Sequence, residues 1–262
     1  MTPTAMVVTL CAVVGLAVGS FLNVVIHRVP RKESVVSPPS RCPGCGNQIS
    51  PRDNIPIVSW LLLRGRCRHC GMSISPRYPA VELGTAVLFV AMALRFPEDW
   101  ALPAFLVLAA ACLAGSLIDL EHMLLPNRLV FPSLAMAAVL LAGAAAIEGE
   151  WEPFARAVIG AVLAAGFLLL LALLWPRGGA MGGGDIKLAL LLGLCLGWLS
   201  LGHVALGMFL GFLLGSVAGV ALLAVGGRSA RDHFAFGPFL ALGTLTAVWW
   251  GRQLLDWYTG AN

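Results

Sequence analysis

Six side chains stand out for the chemistry that their types and spacing allow. Four are cysteines, in the pairs Cys42-Pro-Gly-Cys45 and Cys67-Arg-His-Cys70, with 21 residues between the pairs. Each short C-x2-C knuckle turns two thiolates toward one point, and four thiolates complete the tetrahedron that Zn2+ prefers. A structural zinc is the expected occupant, with iron–sulfur or redox use of the thiols as the alternative. Sulfur at all four positions leaves no room for substrate, so such an ion would hold the loop rather than catalyse. His69, inside the second knuckle, is expected to face solvent.

The other two are Asp119, which ends the apolar run Gly115-Ser-Leu-Ile-Asp119, and Asp185, which opens another in Met181-Gly182-Gly183-Gly184-Asp185-Ile-Lys187. A charged side chain at the centre of a membrane helix costs about 2.5–3.5 kcal/mol on insertion scales, so such acids are functional candidates. Two carboxylates in one low-dielectric site cannot both ionise easily. They share a proton, one acting as base on a water and the other as acid toward a peptide carbonyl, and they titrate as a pair. That is the chemistry of an aspartic peptidase. Each residue also has a purely local reading: Asp185 as a helix N-cap, Asp119 as a partner of Arg128 or a cap on a loop turn. The glycines favour the chemical reading at Asp185, because they admit close approach of backbone or of an extended substrate, which a cap does not need. No serine or cysteine has the context of an activated nucleophile, and no H-E-x-x-H occurs. Glu121 and His122 read as interfacial neighbours of Asp119.

The elements that must position these residues follow from composition. Of 262 residues 59% are hydrophobic and 11% charged, against about 25% charged in soluble domains, which places the chain in lipid. Unbroken Leu/Ala/Val/Gly runs exclude the alternating pattern of a transmembrane barrel, so an all-α polytopic membrane protein is expected. Apolar windows predict about eight transmembrane helices, near 4–26, 79–96, 101–118, 129–147, 155–175, 186–200, 203–226 and 235–257, with seven as the alternative count. The run from Leu188 to Gly227 lacks Lys, Arg, Asp and Glu. As one helix it would be about 60 Å long, twice the bilayer core, so it must turn back near Ser200-Leu201-Gly202-His203. The 79–96 window is interrupted by Glu82 and Arg95, which are expected to snorkel to opposite interfaces.

Charge sets the orientation. With eight spans and the N-terminus outside, the inner loops hold 14 of the 17 basic residues: nine between Arg28 and Arg77, plus Arg128, Arg177, Lys187, Arg228 and Arg231. Outside remain Arg95, Arg156 and Arg252, beside the acidic turns Glu98-Asp99 and Glu148-Gly-Glu-Trp-Glu152. This is the positive-inside pattern. It places the four-cysteine loop and both aspartates on the cytoplasmic side, where disulfides are disfavoured and metal binding is the better use of four thiols. The first segment lacks the basic n-region of a signal peptide and reads as a retained anchor. The net charge of +4 is explained by topology, and no basic stripe with interleaved aromatics points to nucleic acid. Cys11, Cys112 and Cys195 sit singly in apolar segments as packing residues. Gly207, Gly211, Gly215 and Gly219 make one smooth face for helix contact.

Several blocks resemble known proteins. Gly182-x-Gly184-Asp185 resembles the GxGD signature of membrane aspartic proteases. Six further stretches look like the bacterial type IV prepilin peptidase (leader peptidase/N-methyltransferase) family. They are Gly19-Ser-Phe-Leu-Asn-Val-Val-Ile-His-Arg-Val-Pro30, the cysteine knuckles with Ser59-Trp-Leu-Leu-Leu-Arg-Gly-Arg-Cys67, and Arg77-Tyr-Pro-Ala-Val-Glu82-Leu. Then come Asp119 with Leu125-Pro126-Asn127, Gly183-Gly-Asp-Ile-Lys187 and Phe236-Gly-Pro-Phe-Leu240. The match runs in order over nearly the whole chain. It departs at Ala235, where many relatives carry proline.

The resemblance implies that Asp119 and Asp185 are catalytic, with Gly182, Gly183 and Gly184 shaping the site. It implies prepilin or pseudopilin substrates of type IV pilus or protein secretion systems, cut on the cytoplasmic side of the bacterial inner (plasma) membrane after a glycine that follows a basic leader. The new N-terminus would be methylated with S-adenosylmethionine, which makes this a multifunctional enzyme. Gly65 and Glu82 are associated with methylation by the same resemblance. A tight turn at Gly65 and a salt bridge from Glu82 to Arg77 are the local readings. The implied organisation is a first transmembrane helix over 1–26, a methyltransferase-associated cytoplasmic zinc-ribbon-like loop over 27–78, and a transmembrane peptidase core over 79–262. Two other classes share some of these features: a proton- or cation-coupled transporter and an assembly protein whose zinc loop docks a partner. Transporters often carry internal repeats with interrupted helices near the midplane, and no repeat is expected in this sequence.

Overall fold

The computed structural model describes residues 2–174, 182–224 and 235–260. Arg177, Arg228 and Arg231 of the inner-face charge, and Met181 of the glycine run, lie outside the described residues. Among those described, nine α-helices form: α1 (Pro3–Arg28), α2 (Val58–Leu62), α3 (Arg77–Arg95), α4 (Leu102–His122), α5 (Asn127–Glu148), α6 (Glu152–Leu174), α7 (Gly183–Leu199), α8 (Leu201–Ala224) and α9 (Gly237–Thr259). All except the five-residue α2 fall on the eight apolar windows. Six of them, α1, α3, α4, α5, α6 and α8, are long and apolar enough to cross a membrane. The backbone reason is simple: within lipid every N–H and C=O must find its partner inside the segment, which a helix provides.

The chain divides into two compact units, residues 1–99 and 100–262. In the first, α1 and α3 run antiparallel and touch along small residues. A Cβ added to Gly15 would stand 2.7 Å from the Ala86 Cα, and one added to Gly19 would stand 2.6 Å from the Glu82 Cα. One turn further on, the Asn23 amide donates to the Tyr78 carbonyl at 3.1 Å. The backbones therefore meet at four-residue intervals, where only glycine permits such approach.

Glu82 departs from expectation. Its carboxylate does not reach out to solvent; it is buried, and its Oε2 accepts the Ile57 amide at 2.7 Å. A buried carboxylate stays where a main-chain donor satisfies it better than a long reach to water.

In the second unit the charge-free run breaks at Ser200, whose backbone is extended between α7 and α8. Ser200 starts the new helix by accepting the His203 amide on its hydroxyl at 3.1 Å. α7 is the innermost helix, with Leu191, Leu192, Cys195 and Leu196 fully enclosed. It packs on α6 with the backbones nearly touching: a Cβ on Gly193 would run into the Gly160 carbonyl and stand 2.7 Å from the Ala164 Cβ. Gly193→Ala is therefore expected to destabilise the fold by about 1–3 kcal/mol, the usual cost of overpacking. A lowered denaturation midpoint in detergent would register this, and an unchanged midpoint would show that the helices part freely.

The glycine face of α8 holds at three of its four positions. An added Cβ on Gly207 would meet Leu196 and Ala247, one on Gly211 would meet Leu240 and one on Gly215 the Phe236 ring, whereas one on Gly219 would meet nothing within 4 Å among the described residues. Cys11, Cys112 and Cys195 are buried in their helices as packing residues.

Candidate active site and metal centre

The segment between α1 and α3 has little regular structure: a 3-10 turn at Pro51–Asp53, α2, and two isolated antiparallel bridges, Arg41 with Gln48 and Arg66 with Ser73. Each bridge closes one cysteine knuckle. The Cys42 amide donates to Asn47 O at 2.9 Å and the Gly46 amide to Cys42 O at 2.8 Å. In the second knuckle Cys67 donates to Met72 O at 2.8 Å and Gly71 to Cys67 O at 3.0 Å. Gly46 and Gly71 both have φ of +71°, a conformation suited to glycine. The two halves are copies of one pattern, Arg-Cys-x-x-Cys-Gly-x-x-Ile-Ser-Pro-Arg, starting at Arg41 and again at Arg66. This corrects the expectation that the sequence carries no repeat: the repeated unit is only twelve residues long and lies in the loop rather than in the spans.

The four sulfurs all lie within 4.8 Å of one another, and the Cys42 and Cys70 sulfurs are 3.7 Å apart. A tetrahedral ion bound at 2.3 Å requires sulfur–sulfur edges of about 3.8 Å, so the donor set fits such an ion. The amides of Cys45 and Gly44 hold the Cys42 thiol down at about 6, and those of Cys70 and His69 lower Cys67 in the same way. The thiolate is the form that binds metal. Arg68 ties the halves together, its Nη2 2.6 Å from the Asp53 Oδ1 and its Nε 3.0 Å from both carboxylate oxygens. His69 is exposed.

Gly65 and Glu82 build this loop. Gly65 follows α2 with φ of +66°, the Trp60 ring lies 3.0 Å from where its Cβ would stand, and its carbonyl accepts the Ile74 amide at 2.7 Å. Any side chain there would meet both the ring and an unfavourable backbone. Glu82 caps the turn at Ile57, a β-branched residue at φ of +60°. Such a conformation persists only when its surroundings enforce it.

The second unit carries both aspartates, and both are buried. Asp119 lies in the last turn of α4. Its Oδ2 accepts the Gly237 amide at 2.9 Å, the first residue of α9. Asp185 is the third residue of α7. It is not the N-cap; Gly182 holds that place, and Asp185 Oδ2 reaches back to accept the Gly182 amide at 3.2 Å. The two carboxylates are close enough for the charge on Asp119 to act on Asp185.

What lies around them is the strap from Met123 to Asn127. Met123 takes left-handed angles after α4, turning the chain. Leu125 then packs against Gly115 of α4, Gly184 of α7 and Gly237 of α9. At the strap's end the Asn127 side-chain oxygen accepts Lys187 Nζ at 2.9 Å, which fastens the start of α5 to that of α7.

The glycines next to the acids have no spare room. A Cβ on Gly237 would stand 2.9 Å from the Asp119 Oδ2, and one on Gly184 would stand 2.9 Å from the Leu125 Cβ. By contrast a Cβ on Gly183 meets nothing within 4 Å among the described residues, and one on Gly182 comes to 3.3 Å from the Asp185 carboxylate. Gly184→Ala is expected to slow any reaction at the two carboxylates by about 5- to 150-fold, the equivalent of 1–3 kcal/mol of overpacking. Gly143→Ala on α5, where an added Cβ meets nothing within 4 Å among the described residues, should be nearly silent. Turnover of the two variants side by side checks this, and equal loss in both would refute it. Sequence reasoning had marked the Phe236–Leu240 block but not the part played by the Gly237 amide, since a main-chain donor leaves no residue-type signal beyond the glycine.

Comparison with known proteins gives concordant results. Residues 13–96 match the model of the bacterial peptidase A24 N-terminal domain, and residues 106–224 match that of the type IV leader peptidase family. The prepilin leader peptidase/N-methyltransferase of Aeromonas salmonicida strain A449 is 36% identical over 273 residues, covering 93% of this chain and 90% of the relative. Proteins of the same name are 38% identical in Aeromonas hydrophila, covering 93% and 90%, and 37% identical in Pseudomonas aeruginosa, covering 95% and 92%. No solved structure matches.

Proposed function

Because the chain belongs to the type IV leader peptidase family, we propose that it is a membrane aspartic endopeptidase in which Asp119 and Asp185 remove the basic leader of prepilins or pseudopilins. The observation that supports this most is the convergence of two buried carboxylates from separate helices, each steadied by one backbone amide. The amide on one oxygen of each group fixes the carboxylate while leaving the other oxygen for a water or substrate. With one proton between them, the ionised carboxylate takes a proton from the attacking water and the protonated one donates to the scissile carbonyl. Collapse of the tetrahedral intermediate returns a proton to the leaving amine. Gly182, Gly183 and Gly184 give an extended substrate access to this point, and cleavage falls after a glycine at the cytoplasmic face.

The same reading assigns the chain to the bacterial inner membrane with eight spans, its N-terminus outside and both sites facing the cytoplasm, in contact with membrane lipid and without nucleic acid. It assigns Zn2+ to Cys42, Cys45, Cys67 and Cys70. The ion would supply only cross-linking, because four thiolates fill it. N-methylation of the new N-terminus would draw on S-adenosylmethionine, whose sulfonium supplies an electrophilic methyl group to the free amine. Gly65 and Glu82 serve that step by holding the loop in shape, through the turn at Gly65 and the Ile57 amide bound to Glu82.

The test is direct. Detergent-solubilised protein with a matching prepilin should release the leader at one bond, and mass spectrometry should find one added methyl on the product only when S-adenosylmethionine is supplied. An intact prepilin under these conditions would sink the peptidase reading. A trimmed product that never gains the methyl would sink the methylation reading alone.

A further inference from the structure

The short helix α2 presents an apolar stripe on its outer side. Val58, Leu61 and Leu62 follow the i, i+3, i+4 spacing of one helical face, and Leu61 and Leu62 are 61% and 78% exposed. Ile55, just before the helix, is exposed as well. The inner side carries the polar contacts instead. The buried Ser59 hydroxyl accepts the Ile55 amide and donates to Arg52 O, both at 2.9 Å, and Trp60 Nε1 donates to Ile74 O at 3.1 Å. A helix with its polar groups turned inward and its leucines turned outward is the reverse of one facing water.

The level of this stripe relative to the bilayer can be read from its tether. α3 has 19 residues, about 28 Å of helix, which matches a hydrocarbon core of about 30 Å. If α3 crosses the bilayer, its ends at Arg77 and Arg95 fall at the two boundaries of that core. Glu82 lies about 7.5 Å along the axis from Arg77 at 1.5 Å per residue. Helical side chains lean toward the N-terminus, here back toward Arg77. The Ile57 amide, 2.7 Å from the Glu82 carboxylate, is thus within about one helical turn of the boundary. α2 starts at the next residue. Arg64 and Arg66, both exposed, follow it directly and suit anionic headgroups.

We infer that α2 is an interfacial anchor: Val58, Leu61 and Leu62 insert into the acyl–headgroup boundary of the leaflet that borders the four-cysteine loop, with Arg64 and Arg66 on the lipid phosphates. The inference rests on α1 and α3 crossing the bilayer, because the level of the stripe is set by its tether to Glu82 of α3. Its consequence is that the cysteine loop lies against the membrane rather than projecting from it. A substrate whose new N-terminus emerges at the lipid surface would meet the loop there.

Photochemical labelling tests this in the full chain. p-Benzoylphenylalanine is placed at Leu62, or at Leu61, or at the exposed α1 residue Val13 as a spanning control. Each protein is reconstituted in vesicles of phosphatidylethanolamine and phosphatidylglycerol and irradiated with and without added prepilin. The excited ketone abstracts a hydrogen from a nearby C–H bond and the two radicals join, so the ketone becomes a tertiary alcohol and no atom is lost. The expected result is a mass increase of one whole phospholipid at Leu62 and Leu61, at a yield comparable with that at Val13. Lipid adducts at Val13 with none at Leu61 or Leu62 would overturn the anchor and leave the spanning helices in place. A Leu62 label that couples to prepilin and not to lipid would overturn it in favour of a substrate groove. No lipid adduct at any of the three positions would overturn both the anchor and the spanning of α1.

Discussion

Asn in place of either Asp119 or Asp185 is expected to lower leader cleavage by at least about a thousandfold, in line with removal of one member of a catalytic unit. The substitution separates chemistry from structure. Asp119 holds the start of α9 by accepting the Gly237 amide, and Asp185 holds the start of α7 by accepting the Gly182 amide. An asparagine side chain keeps a carbonyl oxygen for the same bond, so the helices remain where they are. What it loses is the proton that the pair must pass to and fro. Membrane insertion and thermal stability of both variants should stay close to those of the parent. Cleavage by either variant at more than a small fraction of the parent rate would remove the dyad from the mechanism. Loss of both cleavage and insertion would show that the acids are structural.

Cys42→Ser is expected to weaken metal binding by at least about a hundredfold, since replacing a ligand itself exceeds the 10- to 100-fold typical of its outer-shell supports. Cys42 is the thiol that the amides of Cys45 and Gly44 hold most acidic, at about 6. A serine hydroxyl at that point offers no anion near neutral pH. Elemental analysis of the purified parent should give one zinc per chain, and that of the variant close to none after dialysis against a chelator. Methylation of trimmed product should fall with the metal, while cleavage falls less, because the aspartates and the residues holding them belong to the other compact unit. Metal-free protein with full methylating activity would refute the assignment.

Much of this was legible in the residues because it is written in pattern. Hydropathy located the eight long helices, and the absence of charge from Leu188 to Gly227 forced the break found at Ser200. Two C-x2-C pairs sufficed for the cluster of sulfurs. The features that escaped depend on main-chain groups, which carry no residue-type label. Glu82 was expected to reach out to water because its partner, the amide of Ile57, belongs to a turn whose positive φ no isoleucine would advertise. Asp185 had an N-cap as its local alternative reading because the true cap, Gly182, has no side chain with which to announce itself. The role of Leu125 was hidden for a related reason: its neighbours Gly115, Gly184 and Gly237 are distant in sequence and recognisable only as gaps that one leucine fills.

The twin knuckles also constrain the order in which the protein is assembled. Neither half supplies more than two thiolates, so an ion cannot be fully enclosed until Cys70 has left the ribosome. Synthesis runs from the N-terminus. At that moment α1 is complete and the Arg77–Arg95 segment, against which it packs, lies behind Cys70 in the chain and has yet to emerge. The loop can therefore set as a small clamp beside a lone first helix, and α3 then inserts next to a neighbour whose trailing segment already has its form.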